Sequence, residues 1–164
     1  MERRLFIIRH GKSSWDFDGL ADVDRPLAKR GLRNAEEMAK RLMDKNLVPQ
    51  LLLTSPASRA LYTALIMSRT WDLGPDQLQI RESLYTSSMK DIEKVVASVS
   101  AEHTSLAIYG HNPGFTAYGN TFLDYHLDNL PTAGVVIVTL DSESWSGISH
   151  KHVKETYVDY PKRK

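Results

Sequence analysis

Two arginines and two histidines stand in short segments rich in small residues: Arg9-His10-Gly11, Ser55-Pro56-Ala57-Ser58-Arg59 and Gly110-His111-Asn112-Pro113-Gly114. The arginine fork is planar and permanently charged, so it grips phosphate oxygens in pairs. An imidazole can attack phosphorus and form a covalent intermediate, which splits one hard step into two. A second imidazole, beside guanidiniums, can stabilise charge on a transferring phosphoryl group. The set describes an anion pocket suited to phosphoryl chemistry. Singly, each segment has an ordinary explanation, since short motifs arise by chance and Arg59 alone reads as a surface helix residue. Their joint placement is the signal. Residue chemistry alone does not say which histidine attacks.

That placement depends on the elements before each segment. Leu5-Phe6-Ile7-Ile8, Leu51-Leu52-Leu53-Thr54 and Leu106-Ala107-Ile108-Tyr109 are short continuous apolar runs. Such runs mark strands buried on both faces. Val135 to Val138 is another, and Gln77 to Ile80 a shorter one. Between them lie helical patterns. Leu32, Ala35, Ala39 and Leu42 share one face of a helix spanning Leu27 to Asp44. Ser55-Pro56 reads as N-cap and first residue of a second helix, with Ala57, Leu61, Ala64 and Ser68 on one face. Met89, Ile92, Val96 and Val99 give a third, and Phe115 to Leu123 a fourth. Ser144 to Val153 reads as an edge strand. Alternating strands and helices predict a three-layer α/β/α sandwich with a mainly parallel central sheet. Ligands in such sheets sit at the carboxyl ends of the strands, which is where all three segments fall. One domain, residues 1–164, uses the whole chain.

Composition narrows the function classes. The chain has 164 residues, 41% apolar and 25% charged, which is ordinary for a globular domain. Lys+Arg is 21 and Asp+Glu is 20, a net charge of +1. Nucleic-acid binders carry a stronger basic excess. The basic run Lys162-Arg163-Lys164 reads as a solvated tail. No cysteine is present, so disulfides, thiolate metal sites and a cysteine nucleophile are excluded. No apolar run approaches the ~20 residues of a bilayer span. A cytoplasmic protein with no membrane partner is expected.

Several motifs resemble one family. The opening Leu5 to Trp15, with Arg9-His10-Gly11-Lys12, resembles that of the histidine phosphatase, or phosphoglycerate-mutase-like, superfamily. So do Asp24-Arg25-Pro26-Leu27 with Lys29-Arg30-Gly31, Thr54 to Ala60 with Thr63-Ala64, and Gly110-His111-Asn112-Pro113-Gly114. Asn129-Leu130-Pro131-Thr132-Ala133-Gly134 is similar to a stretch of the small SixA-type phosphohistidine phosphatases. The resemblance runs from residue 5 to about 140. It implies a phosphoglycerate-mutase-like fold and a two-step phosphoryl transfer. His10 would be the nucleophile, and Arg9, Arg59 and His111 would hold the phosphoryl group. It implies no metal ion and no organic cofactor.

The resemblance also raises a general acid. Glu82, three before Tyr85, matches the position of that acid in the mutase-like and broad phosphatases. Asp16, Asp18 and Asp24 are rivals, and a solvated loop glutamate is the plain alternative. Ser13 offers a hydroxyl to substrate or a cap to the turn. Asn112 offers an amide to phosphate or shapes the turn before Pro113. Lys12 offers a charge at the pocket mouth. His150 and His152 read as exposed residues sharing one face of the edge strand, and Trp15 as packing at its loop. The expected substrate is a phosphorylated protein, for instance a histidine phosphotransfer domain. A small phosphate ester is the alternative, and a non-catalytic phosphate-binding domain a third. An imidazole leaves more readily than an alkoxide, and an uncovered site suits a protein-borne phosphate.

Overall fold

The computed structural model describes residues 1–163; Lys164, the last residue of the basic run, lies outside them. A six-stranded sheet forms the centre. In chain order its strands are β1 (Glu2–Arg9), β2 (Leu51–Thr54), β3 (Leu78–Ile80), β4 (Ser105–Gly110), β5 (Val135–Asp141) and β6 (Val153–Asp159). Their spatial order is β3-β2-β4-β1-β5-β6. The β1–β4, β2–β4 and β2–β3 pairs are parallel, and β5 runs antiparallel to both its neighbours. The sheet is thus mainly parallel, as the alternation of elements predicts.

Alternating side chains of β1 face opposite layers, as the period-2 geometry of a strand requires. Phe6 and Ile8 pack with Met38 and Leu42 of α1 (Lys29–Asp44) and Ala64 and Met67 of α2 (Ser58–Thr70). Leu5 and Ile7 pack with Ile92 and Val96 of α3 (Met89–Ala97) and Phe115 and Tyr118 of α4 (Gly114–Asn120). All four β1 residues are fully buried. Each such side chain contributes on the order of 1.5–3 kcal/mol. The sheet therefore has helices on both faces and forms a rigid floor for the loops at its carboxyl edge. No helix among the described residues is long and apolar enough to cross a membrane.

Four local expectations are corrected. Leu32 is 44% exposed, and Gly31 takes the inward position on α1. A side chain at Gly31 would run into the carbonyl of Lys12, so the residue's smallness lets the loop after β1 lie on the helix. The second helix starts at Ser58 with Ala57 as N-cap, not at Ser55. The fourth stops at Asn120, whose amide bonds the Leu127 carbonyl and N–H, each at 2.8 Å, and turns the chain. The edge strand is Val153–Asp159, and His150–His152 is a 3₁₀ turn before it. There His150 Nε2 meets Asp124 Oδ1 at 2.6 Å, and His152 Nδ1 accepts the Ser149 N–H. The two rings thus share no strand face.

Candidate active site

Strand register brings the three segments level. Arg9 pairs with Gly110 across β1 and β4, and Thr54 pairs with Tyr109 across β2 and β4. His10, Ser55 and His111 follow these positions directly. Two loop-to-strand bonds fix the edge: His10 N–H to the Gly110 carbonyl at 3.2 Å, and Ser55 N–H to the Tyr109 carbonyl at 3.0 Å. Gly110 is required here, because a side chain on it would occupy the Phe115 ring. Thr63 joins α2 to the same edge. Its hydroxyl accepts the Gly11 N–H at 2.9 Å and donates to the Arg59 carbonyl at 2.7 Å.

The result is a cleft of about 230 Å³ walled by Arg9, His10, Lys12, Ser13, Trp15, Arg25, Arg59, His111, Asn112 and Thr132. His10 and His111 lie 5.1 Å apart between ring centroids and are 7% and 9% exposed. His10 Nδ1–H donates to the Gly11 carbonyl at 2.7 Å. A carbonyl can only accept, so the proton sits on Nδ1 and the lone pair on Nε2. Burial pushes the His10 imidazole down to about 3, and the charges of His111, Arg59 and Arg9 push the same way against the Gly11 bond. Burial, with Arg59 next, pushes His111 down to about 4. Both rings are therefore neutral at pH 7. His111 Nε2 lies 2.8 Å from Ser55 Oγ, and its buried Nδ1 has no protein partner among the described residues.

The guanidiniums are held individually. Arg9 Nη1 donates to the Leu130 carbonyl at 3.0 Å, and its buried Nε has no protein partner among the described residues. Arg59 Nη1 and Nη2 donate to the Asp22 carbonyl at 2.7 Å and to Asp22 Oδ2 at 2.9 Å. Arg25 Nη1 donates to Ser13 Oγ at 2.6 Å, and its guanidinium stacks 3.5 Å from the centre of the Trp15 ring. Trp15 is itself 71% exposed, so it is a shelf for Arg25 and not loop packing. Tyr85 O–H donates to Asp22 Oδ2 at 2.6 Å, and its ring stands edge-on to His111 at 5.6 Å. The Tyr85 bond, followed by Arg59, lowers the Asp22 carboxyl to about 2.

The family model of the histidine phosphatase superfamily (branch 1) matches residues 5–107. The chain belongs to that superfamily. An uncharacterized protein of Picosynechococcus is 33% identical to this phosphatase over 143 residues, 80% of this chain and 82% of its own. The SixA protein of Nakamurella multipartitia, a candidate phosphohistidine phosphatase, superposes with a TM-score of 0.83 at 20% identity. It covers 99% of this chain and 98% of its own. The protein histidine phosphatase SixA complexed with tungstate gives 0.77 at 22% identity, covering 96% and 97%. These likenesses establish a phosphoglycerate-mutase-like fold for the phosphatase.

Of the residues singled out in the sequence, Arg9, His10, Arg59 and His111 converge on the cleft, with Lys12, Ser13 and Asn112 in its wall. Ser13 is occupied by Arg25. Both Asn112 amide hydrogens are also engaged, donated by Nδ2 to Asn129 Oδ1 at 3.0 Å and the Leu130 carbonyl at 3.1 Å. Its Oδ1 accepts from the Thr116 N–H and hydroxyl. Asn112 therefore shapes the loop between β4 and α4. Glu82 is exposed at the start of a 3₁₀ turn and lies outside the cleft wall. Asp16, Asp18 and Asp24 are exposed and outside it too. Sequence reasoning missed Asp22, and read Ser55 as a cap. The motif Asp-Arg-Pro-Leu flags Arg25, but nothing in it marks the carboxylate three residues earlier.

Proposed function

We propose that this phosphatase hydrolyses phosphohistidine on a protein partner, through a phosphoryl group carried on His10 and without a metal ion. His10 Nε2 attacks phosphorus. The P–N bond to the substrate imidazole breaks, and its electron pair leaves on that nitrogen. Arg9, Arg59 and His111 meet the equatorial oxygens, where charge gathers in the transition state. Ser55 O–H donates to His111 Nε2, which puts the His111 proton on Nδ1 as a phosphoryl donor. Water then attacks phospho-His10, the new P–N bond breaks, and inorganic phosphate leaves.

One observation carries the substrate class. Among the described residues the cleft wall holds cations and neutral imidazoles but no carboxyl group. The carboxyl bonded to Arg59, that of Asp22, is held ionised by Tyr85 and Arg59 and is no proton donor at neutral pH. An alkoxide needs such a donor as it leaves. A protonated imidazole leaves without one. The experiment compares kcat/KM on a chemically phosphorylated histidine phosphotransfer domain with a panel of small phosphomonoesters, with His10→Ala as control. A preference for the phosphohistidine protein, lost in His10→Ala, supports the reading. A preference for a small ester moves the function to metabolite dephosphorylation. Phosphate binding without turnover of either leaves a phosphate-binding domain.

A further inference from the structure

Asp22 occupies a position that the two-step chemistry does not use. It lies on a 3₁₀ turn, Asp22–Asp24, in the loop between β1 and α1. Its carbonyl and carboxylate take both terminal nitrogens of Arg59, the same carboxylate oxygen accepts the Tyr85 hydroxyl, and the other oxygen lies 3.4 Å from Arg25 Nη2. Tyr85 in turn flanks His111. The carboxylate thus links Arg59, in the cleft wall, to Tyr85, which stands against His111 outside it. Arg59 is buried, yet the Asp22 side chain is 52% exposed. Its negative charge therefore faces the solvent side, from which the rest of a substrate must extend.

This arrangement has a consequence for the leaving group. Arg59's charge is answered within the protein, so it offers little to a second anion on the substrate. A cationic group there gains attraction from Asp22, and an anionic one is repelled. We propose that Asp22 is a specificity-determining residue that selects substrates by the charge on the group that bears the phosphoryl, favouring a phosphorylated imidazolium ring and rejecting groups that carry a carboxylate or second phosphate. The inference rests on the reading of the cleft as the phosphoryl seat, and it deepens that reading by naming the feature that discriminates among substrates.

The test uses three non-hydrolysable benzylphosphonates of similar shape, with a para aminomethyl, methyl or carboxylate group. Their Kd values are measured by calorimetry on the full chain at low salt. Wild type should bind in the order ammonium, methyl, carboxylate. Asp22→Asn should shrink the ammonium-to-carboxylate ratio by about sixfold, the size expected at water's dielectric for a half-exposed carboxylate on the order of 8 Å from each ligand charge. Asp22→Glu should restore most of the ratio, and 1 M salt should erase the wild-type preference. If Asp22→Asn weakens all three ligands equally, Asp22 only props Arg59 and the proposal fails. A wild-type ratio near one overturns it as well. Neither result touches the phosphohistidine assay, so failure here and failure of the proposed function are told apart. Wild type that binds no phosphonate at all would overturn the phosphoryl seat and this proposal together.

Discussion

Ser55 Oγ lies 2.8 Å from His111 Nε2, and the same oxygen accepts the Ala57 N–H at 3.2 Å. The hydroxyl keeps its proton and a second lone pair while it accepts that N–H; in the proposed mechanism the proton goes to Nε2 and holds the His111 proton on Nδ1. His111→Ala should then cost about 10²–10³ in kcat, as loss of one transition-state donor does. Ser55→Ala should cost about tenfold by leaving the tautomer free. The double variant should be no worse than His111→Ala, since both act through one group. Steady-state kcat for the three variants checks this, and additive losses would separate the two residues.

The buried imidazoles make the fold sensitive to acid. His10 and His111 sit near 3 and 4 in the folded protein, against about 6.5 unfolded. The unfolded chain therefore binds more protons across that window, and stability rises with pH through it. Stability from the neutral rings is fully present above about 6.5 and is lost as pH falls through about 4 and then 3. Denaturant midpoints measured from pH 3.5 to 7.5 should climb with pH. His10→Asn should flatten part of the slope. An unchanged slope would mean the ring is not held neutral.

Glu82 is exposed and outside the cleft wall, so Glu82→Gln should keep activity on phosphohistidine within about twofold and leave its pH–rate profile unmoved. A profile that loses a limb in the variant would restore Glu82 as a proton donor.

Gly31 supports the site from below. Gly31→Ala drives a methyl group into the Lys12 carbonyl, a backbone atom that cannot swing aside. The expected cost is about 1–3 kcal/mol of stability, the usual range for overpacking. A shift of the loop after β1 should also raise KM. A thermal melt beside a kinetic assay reads both, and an unchanged melting temperature would show that the loop yields freely.

The strong strands were legible because Leu5 to Ile8 and Leu106 to Tyr109 are buried on both faces, and double burial leaves a continuous apolar run. Position at the carboxyl edge then followed for His10 and His111. Other features depend on pairings between distant positions. Ser55-Pro56 looks like any helix start, and only His111, 56 residues on, turns the serine to another use. Asp22 is one of four aspartates between residues 16 and 24, and its partner Tyr85 lies 63 positions away. Leu32 satisfies the helical period, yet the turn it would bury is covered by the Lys12 backbone against Gly31.

The proposed two-step chemistry stands on His10 Nε2 carrying the phosphoryl group. Rapid quenching of the enzyme with a ³²P-phosphohistidine protein, followed by peptide mapping, tests it most directly. The expected result is an acid-labile, base-stable label on His10 alone, formed within one turnover and absent in His10→Ala, whose kcat falls by roughly 10³-fold or more. Label on His111, or full turnover in His10→Ala with no labelled enzyme, would contradict it.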